Sequence, residues 1–348
     1  MTRSLFGAHS PYLTPQTSHL ILMEKFLSCD WGTSSFRLRL VDKEHFKIEA
    51  EEISAKGILD TFNLWNQKGD TDPEARILFY IEIISEHLDK LERKLNISLD
   101  GVPLVISGMA SSSIGMISLP YHQMPFALDG SGIETKYQQA SSGFNHDILL
   151  ISGVKSEDDV MRGEETQLIG IYKEDPDTAT QIYIFPGTHS KHIIIKDKQA
   201  VRFKTYMTGE FFELLSKKSI LHSTVEKNAD LHQANCLESF KQGVRDSCGS
   251  NLLHACFRVR TNNLFGILDK KENYHYLSGL LIGAELQDLS DNDSIIIYLC
   301  CGSGLRANYE TALYVLGLDH KTHIFSAQSV DESVIIGQSK ILSNKINA

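Results

Sequence analysis

One pattern occurs twice in this chain and limits what it can fold into. The apolar run Phe26-Leu27-Ser28-Cys29 ends in Asp30-Trp31-Gly32-Thr33-Ser34-Ser35. Phe36-Arg37-Leu38-Arg39-Leu40-Val41 then alternates apolar and basic residues. Period-two alternation marks a half-buried strand, so the segment predicts a hairpin whose tight turn holds DWGTSS. The second copy runs from a strand at Gln181 to Phe185, through Pro186-Gly187-Thr188-His189-Ser190, into a strand from Lys191 to Lys196. Each half of the chain opens with a hairpin whose turn contains Gly-Thr. At 348 residues the chain is too long for one compact core, and the repetition predicts two domains.

Helical and strand patterns follow each hairpin. Residues 74–96 carry apolar residues at helical spacing with Glu and Lys on the other face. Val102 to Ser107 reads as a short strand running into the small-residue loop Gly108-Met109-Ala110-Ser111-Ser112-Ser113. Asp147 to Ser152 is another strand, and a helix is expected over Glu164 to Tyr172. Lys173-Glu174-Asp175-Pro176-Asp177 is polar and contains proline, which places the main boundary there, between a domain 23–174 and a domain 175–348. In the second half, helices are expected near 209–219 and 275–288, and a strand over Ser294 to Cys300. Gly302-Ser303-Gly304 opens a helix near Leu305 to Leu316, and an amphipathic helix is expected over Val330 to Ile346. Residues 1–22, with two prolines and many Ser and Thr but no apolar core, read either as a flexible extension or as sequence ahead of a native start at Met23.

Composition narrows the function classes. A formal charge of −10 argues against a nucleic-acid surface, which needs a basic stripe. No apolar run approaches membrane-span length, so no membrane partner is expected. Cys29, Cys236, Cys248, Cys256, Cys300 and Cys301 include no CxxC pair, which reads as free thiols in a reducing cytoplasm.

The turns carry residue types that phosphoryl transfer uses. Asp30 at a strand end offers a hard oxygen to Mg²⁺. Gly32 lets the backbone approach a phosphate, and Thr33 and Ser34 supply hydroxyls and amides. In the second turn Gly187, Thr188 and His189 offer donors, and Lys191 adds a charge. Gly302, Ser303 and Gly304 let a nucleobase or ribose pass close to the backbone. Any one of these is also an ordinary turn. Three in this order are far more specific. His189 and His192 lack the spacing and the third ligand of a zinc site.

In this order DWGTSS, PGTHSK and CGSGL resemble the two phosphate motifs and the adenosine motif of the actin-like sugar kinases. The stretches SGMASSSIGMISLPY, VMRGEETQLIGI, TYMTGEFFELL and SGLLIGAEL are similar to the 2-dehydro-3-deoxygalactonokinase family, from about Met23 onward. Ser35 stands where many members carry Asn, and 222–256 matches loosely. The resemblance implies two α/β domains of the actin-like, ribonuclease H-like type, each with a mixed five-stranded sheet. It also implies ATP with Mg²⁺ in the cleft between them, and the last helix packed back on the first domain.

It further implies that a 2-keto-3-deoxy sugar acid, 2-dehydro-3-deoxygalactonate above others, is phosphorylated at its 6-hydroxyl. Glu164 or Glu165 would accept that hydroxyl's proton, with Asp158 and Asp159 less favoured; the plainer role for glutamates here is to complement a helix dipole. Arg162 would grip the substrate carboxylate. Ser111, Ser112, Ser113, Thr208 and Glu210 resemble pocket residues, although Thr-Gly-Glu is also a good helix start. A homodimer is compatible with the family. An ATP-binding regulator and a phosphatase or ATPase on the same fold are the other readings.

Overall fold

The computed structural model describes residues 24–174, 180–289 and 295–346. The expected extension 1–22, Met23, Asp175-Pro176-Asp177 of the linker and Ser294 lie outside the described residues. The described residues form two compact units. One comprises 24–119 with Thr135–Ser152, and the other Pro120–Glu134 with everything described from Gly153 onward. The division falls before Gly153 rather than in the linker, so helix Glu164–Ile171 belongs to the second unit.

In the first unit the expected hairpin pairs Lys25–Trp31 with Phe36–Asp42, antiparallel, with Ile48–Ser54 beyond it. On the other side of Lys25–Trp31 lie Leu104–Gly108 and then Ile148–Ile151, each parallel to its neighbour. The second unit repeats this order. Thr180–Phe185, Ser190–Lys196 and Gln199–Tyr206 are antiparallel, and Ile295–Leu299 and Thr322–Ile324 run parallel on the far side. This shared order is the actin-like α/β arrangement that the sequence motifs implied. Among the described residues each of these two sheets has six strands rather than five. Thr135–Gln138 adds an antiparallel edge to the first sheet, and the two residues Phe126–Ala127 add one to the second.

The helices form where chain chemistry starts and stops them. Asp72 accepts hydrogen bonds from the Glu74 and Ala75 amides, Pro73 occupies the first turn, and Asn96 ends the helix in the left-handed region at φ 54°. Between them Tyr80, Ile84, Leu88 and Leu91 form one buried stripe on the first sheet's core. Tyr80 also meets Trp31, whose ring centroid is 5.5 Å away, and Trp31 meets Phe36 at 4.9 Å. An aromatic cluster therefore anchors both ends of the DWGTSS turn. No helix among the described residues is long and apolar enough to cross a membrane.

The last helix, Ala327–Ile346, packs on Glu164–Ile171 within the second unit. The two backbones nearly touch, because each helix presents a glycine to the other. A methyl group on Gly170 would lie 1.8 Å from the Ser333 carbonyl oxygen, and one on Gly337 would lie 2.0 Å from that of Thr166. Gly337→Ala should therefore destabilise the protein by roughly 1–3 kcal/mol, the range for overpacking a tight contact. Urea denaturation measures this, and an unchanged midpoint would show that the helices can part without cost.

Candidate active site

The second unit holds most of the predicted residues. The Pro186–His189 turn is fixed from below and from one side. The Gly187 amide donates to Ser190 Oγ at 3.3 Å, and Ser190 is fully buried. Helix Thr208–Lys218 starts against the same turn: the Glu210 amide donates to the Thr188 carbonyl at 3.0 Å. This approach requires Gly209, where a methyl group would lie 2.5 Å from the Gly187 carbonyl oxygen. Glu210 itself pairs with His189, Oε2 to Nε2 at 2.5 Å. Thr188 and His189 are exposed.

A cavity of about 550 Å³ lies beside this turn, lined by Gly187, Thr208 and Gly209 together with Ser303 and Gly304. Its volume falls in the range of small-molecule sites. Sequence reasoning missed Tyr274, Ser278 and Asn308 on its walls. Asn308 was within reach, because it stands four residues after Gly304 on the helix Ser303–Val315 and so on the same face. Tyr274 and Ser278 have the same spacing on Lys270–Leu286, but nothing local shows which face of that helix meets the cavity.

The two glutamates of MRGEETQLIG separate sharply. Glu164 keeps a quarter of its side chain exposed, and its Oε1 lies 3.8 Å from the buried Lys191 Nζ, just past the Pro186–His189 turn. Its Oε2 accepts from the Arg162 amide at 3.1 Å. Glu165 is fully buried, accepting from the Gly163 amide at 2.7 Å and from Thr166 Oγ1 at 3.0 Å. Burial, and secondarily the charge of Glu164, push its carboxyl up to about 7.

That shift has a stability consequence. Between about pH 4.5 and 7 the folded protein holds a proton that the unfolded chain releases, so this group's stabilisation is full below 4.5 and is lost as pH rises through 7. Glu165→Gln, which mimics the neutral acid, should gain on the wild type by up to about 3 kcal/mol between pH 5 and 8. Denaturation curves at both pH values measure it; parallel pH dependence in the two proteins would contradict the assignment.

Arg162 lies over the Tyr121 ring, 4.2 Å from guanidinium carbon to centroid. Thr208 turns its hydroxyl onto Glu285. Asp159, the weaker base candidate, is tied to Thr205, accepting from its amide at 2.6 Å and its hydroxyl at 2.7 Å.

In the first unit Asp30 stands near the end of its strand, half-buried, with Oδ1 3.4 Å from where a methyl group on Gly108 would be. The turn behind it is held by its carbonyls. Gly32 and Thr33 accept from the Ile58 and Leu59 amides, the first turn of helix Ile58–Lys68, at 3.0 and 3.1 Å. The side chains of Thr33 and Ser34 face solvent. Asp30 supplies one carboxylate, and among the described residues no three His, Cys, Asp or Glu side chains converge. One carboxylate suits Mg²⁺ that arrives with phosphates and waters rather than in an all-protein cage. The serine loop departs from expectation. Ser111 and Ser112 are buried, and their hydroxyls donate to the Gly108 and Met109 carbonyls at 3.4 and 2.7 Å. Only Ser113 is exposed, and its carbonyl accepts from Arg76 at 2.8 Å.

Residues 30–333, which include every one of these groups, match the family described as 2-keto-3-deoxy-galactonokinase. The chain belongs to that family. A 2-dehydro-3-deoxygalactonokinase of Escherichia coli (strain K12) is 34% identical over 302 residues, covering 85% of this chain and 91% of that protein. A Rhizobium meliloti (strain 1021) protein provisionally assigned the same activity is 30% identical over 324 residues, 90% of this chain and 95% of its own. A crystal structure from Sinorhizobium meliloti, also provisionally so assigned, superposes with a TM-score of 0.72 at 27% identity. It covers 91% of this chain and 95% of that one. Membership of a kinase family makes ATP a substrate of the group to which these turns belong.

Proposed function

We propose that this protein transfers the γ-phosphoryl group of ATP to the 6-hydroxyl of 2-dehydro-3-deoxygalactonate, giving 2-dehydro-3-deoxy-6-phosphogalactonate and ADP. The observation that carries this reading is the family match across residues 30–333, which spans both Gly-Thr turns and MRGEETQLIG. The cavity uniting Gly187 with Ser303 and Gly304 supports it, since a nucleoside needs a shaped apolar wall beside a phosphate-binding turn.

In this reading Tyr274, Ser303, Gly304 and Asn308 receive the nucleoside. Gly187, Thr188, His189 and Lys191 present donors and charge to phosphate oxygens, as Thr33 and Ser34 do from their own turn. Asp30 would hold Mg²⁺, which would supply charge neutralisation to the phosphates. Glu164 orients the sugar-acid hydroxyl and takes its proton as the oxygen attacks the γ-phosphorus. A phosphorus–oxygen bond forms, the bond to the β,γ-bridging oxygen breaks, and ADP leaves; Glu164 then gives the proton to solvent. Arg162 meets the substrate carboxylate with its planar fork, and Ser113 offers the exposed hydroxyl of the serine loop. Glu165 stays outside the chemistry. A cytoplasmic location fits the six cysteines, which include no CxxC pair.

Coupled ADP release with Mg-ATP tests the assignment against 2-dehydro-3-deoxygalactonate, its gluconate epimer and a no-sugar control. Turnover on the galactonate alone establishes reaction and specificity together. Turnover on both epimers widens the substrate class. ADP release that ignores sugar, from folded protein, overturns the kinase reading.

A further inference from the structure

Beneath the Pro186–His189 turn lies a polar core that the proposed chemistry leaves without a role. Its centre is Glu285, in the stretch SGLLIGAEL near the end of helix Lys270–Leu286, where it is only 3% exposed. Three other elements donate to its carboxylate. His192 Nε2 meets Oε1 at 2.9 Å, Tyr309 Oη donates to Oε2 at 2.8 Å, and Thr208 Oγ1 donates to the same oxygen. A buried carboxylate is tolerable only when satisfied in this way.

The bonds continue outward with a fixed direction. The Tyr309 hydroxyl has one proton and gives it to Glu285, so Ser190 Oγ, 3.0 Å away, must be the donor in its contact with Tyr309. The lone pair left on Ser190 Oγ is what the Gly187 amide meets at 3.3 Å. Gly187, Ser190 and Tyr309 therefore donate in sequence toward a single negative charge, an arrangement in which each bond polarises the next. The Thr208 branch anchors the first residue of the helix whose Gly209 and Glu210 back the same turn.

We infer that Glu285 is a positioning residue: through Tyr309 and Ser190, and separately through Thr208, it holds the phosphate-facing turn in shape before the nucleotide arrives. The inference rests on the kinase reading for its consequence in catalysis, but not for the fixation of the turn. A turn that is set in advance needs no reorganisation when charge develops on the transferring group, so its loss falls on kcat.

Hydrogen exchange of the amides in 186–190, read by mass spectrometry on the intact protein, tests the fixation directly. Tyr309→Phe removes one oxygen and keeps the ring; Glu285→Leu removes the charge. Both should speed exchange in that segment by about tenfold, the effect of one net hydrogen bond, with little change in the first unit. Glu285→Gln, which keeps an acceptor for Tyr309, should recover most of the protection. In the sugar-acid assay kcat should fall by about tenfold or more in Tyr309→Phe, with KM for the sugar acid within about twofold. If Glu285→Leu does not fold, Tyr309→Phe decides alone. Exchange at 186–190 within about twofold of wild type in folded Tyr309→Phe overturns the inference. Wild-type protein without sugar-dependent ADP release overturns the kinase reading instead, and the exchange data still decide whether Glu285 fixes the turn.

Discussion

Glu164→Gln should lower kcat by about 10²–10⁴, the usual contribution of a positioned general base, while KM for the sugar acid changes little. The expectation comes from the contrast between two neighbours. Glu165 is sealed in the first turn of its helix, bonded to the Gly163 amide and the Thr166 hydroxyl, with a carboxyl that is half neutral near pH 7. Glu164 is partly exposed and stands 3.8 Å from Lys191, on the strand that follows the Pro186–His189 turn. A base needs access to the hydroxyl that it deprotonates, and of the two glutamates only Glu164 is exposed at all. Glu165→Gln should accordingly retain kcat to within a few-fold, since it preserves the shape of the neutral acid. Coupled assays on both variants, with circular dichroism to confirm folding, give the comparison. A Glu164→Gln enzyme within about tenfold of wild type would reassign the proton to another acceptor or to solvent.

Asp30→Asn should cost turnover at least about a hundredfold, as expected for loss of a charge that organises phosphate neutralisation, with the fold intact. The amide keeps an oxygen and nearly the same volume, so packing against Gly108 is preserved. What it loses is the negative charge that makes the oxygen a good ligand for a hard cation. The variant should need more Mg²⁺ for half-maximal rate. Titrating Mg²⁺ at fixed ATP measures that shift. Near-normal turnover at ordinary Mg²⁺ would refute the metal assignment.

Much of this was legible in the sequence because local rules decided it. The two hairpins could be read from alternation and Gly-Thr turns, and helix Pro73–Leu95 from its apolar stripe. The rest depended on partners far along the chain. Helix Ala234–Ser247 lies where the family resemblance was loosest. Phe126–Ala127 is a strand of two residues, recognisable only by its neighbour Gln199–Tyr206. The serine loop looked like a row of donors, yet a 3₁₀ turn folds two of its hydroxyls back onto local carbonyls. Glu285 gave no local sign of its role, because its donors come from residues 192, 208 and 309. A polar hub is a property of assembled structure, and its residue types alone resemble an ordinary helix surface.

The glycine crossing between Glu164–Ile171 and Ala327–Ile346 sets a timetable for the nascent chain. The helix that begins with Glu164 is only eight residues long, too short to persist alone in water. Its support is the helix that ends at Ile346, made some 160 residues later, so a growing polypeptide has its carboxylate in place only after translation has passed that point. A chain stalled or clipped before Ala327 would lack that support, and the short helix that carries Glu164, the proposed base, would be left unsettled.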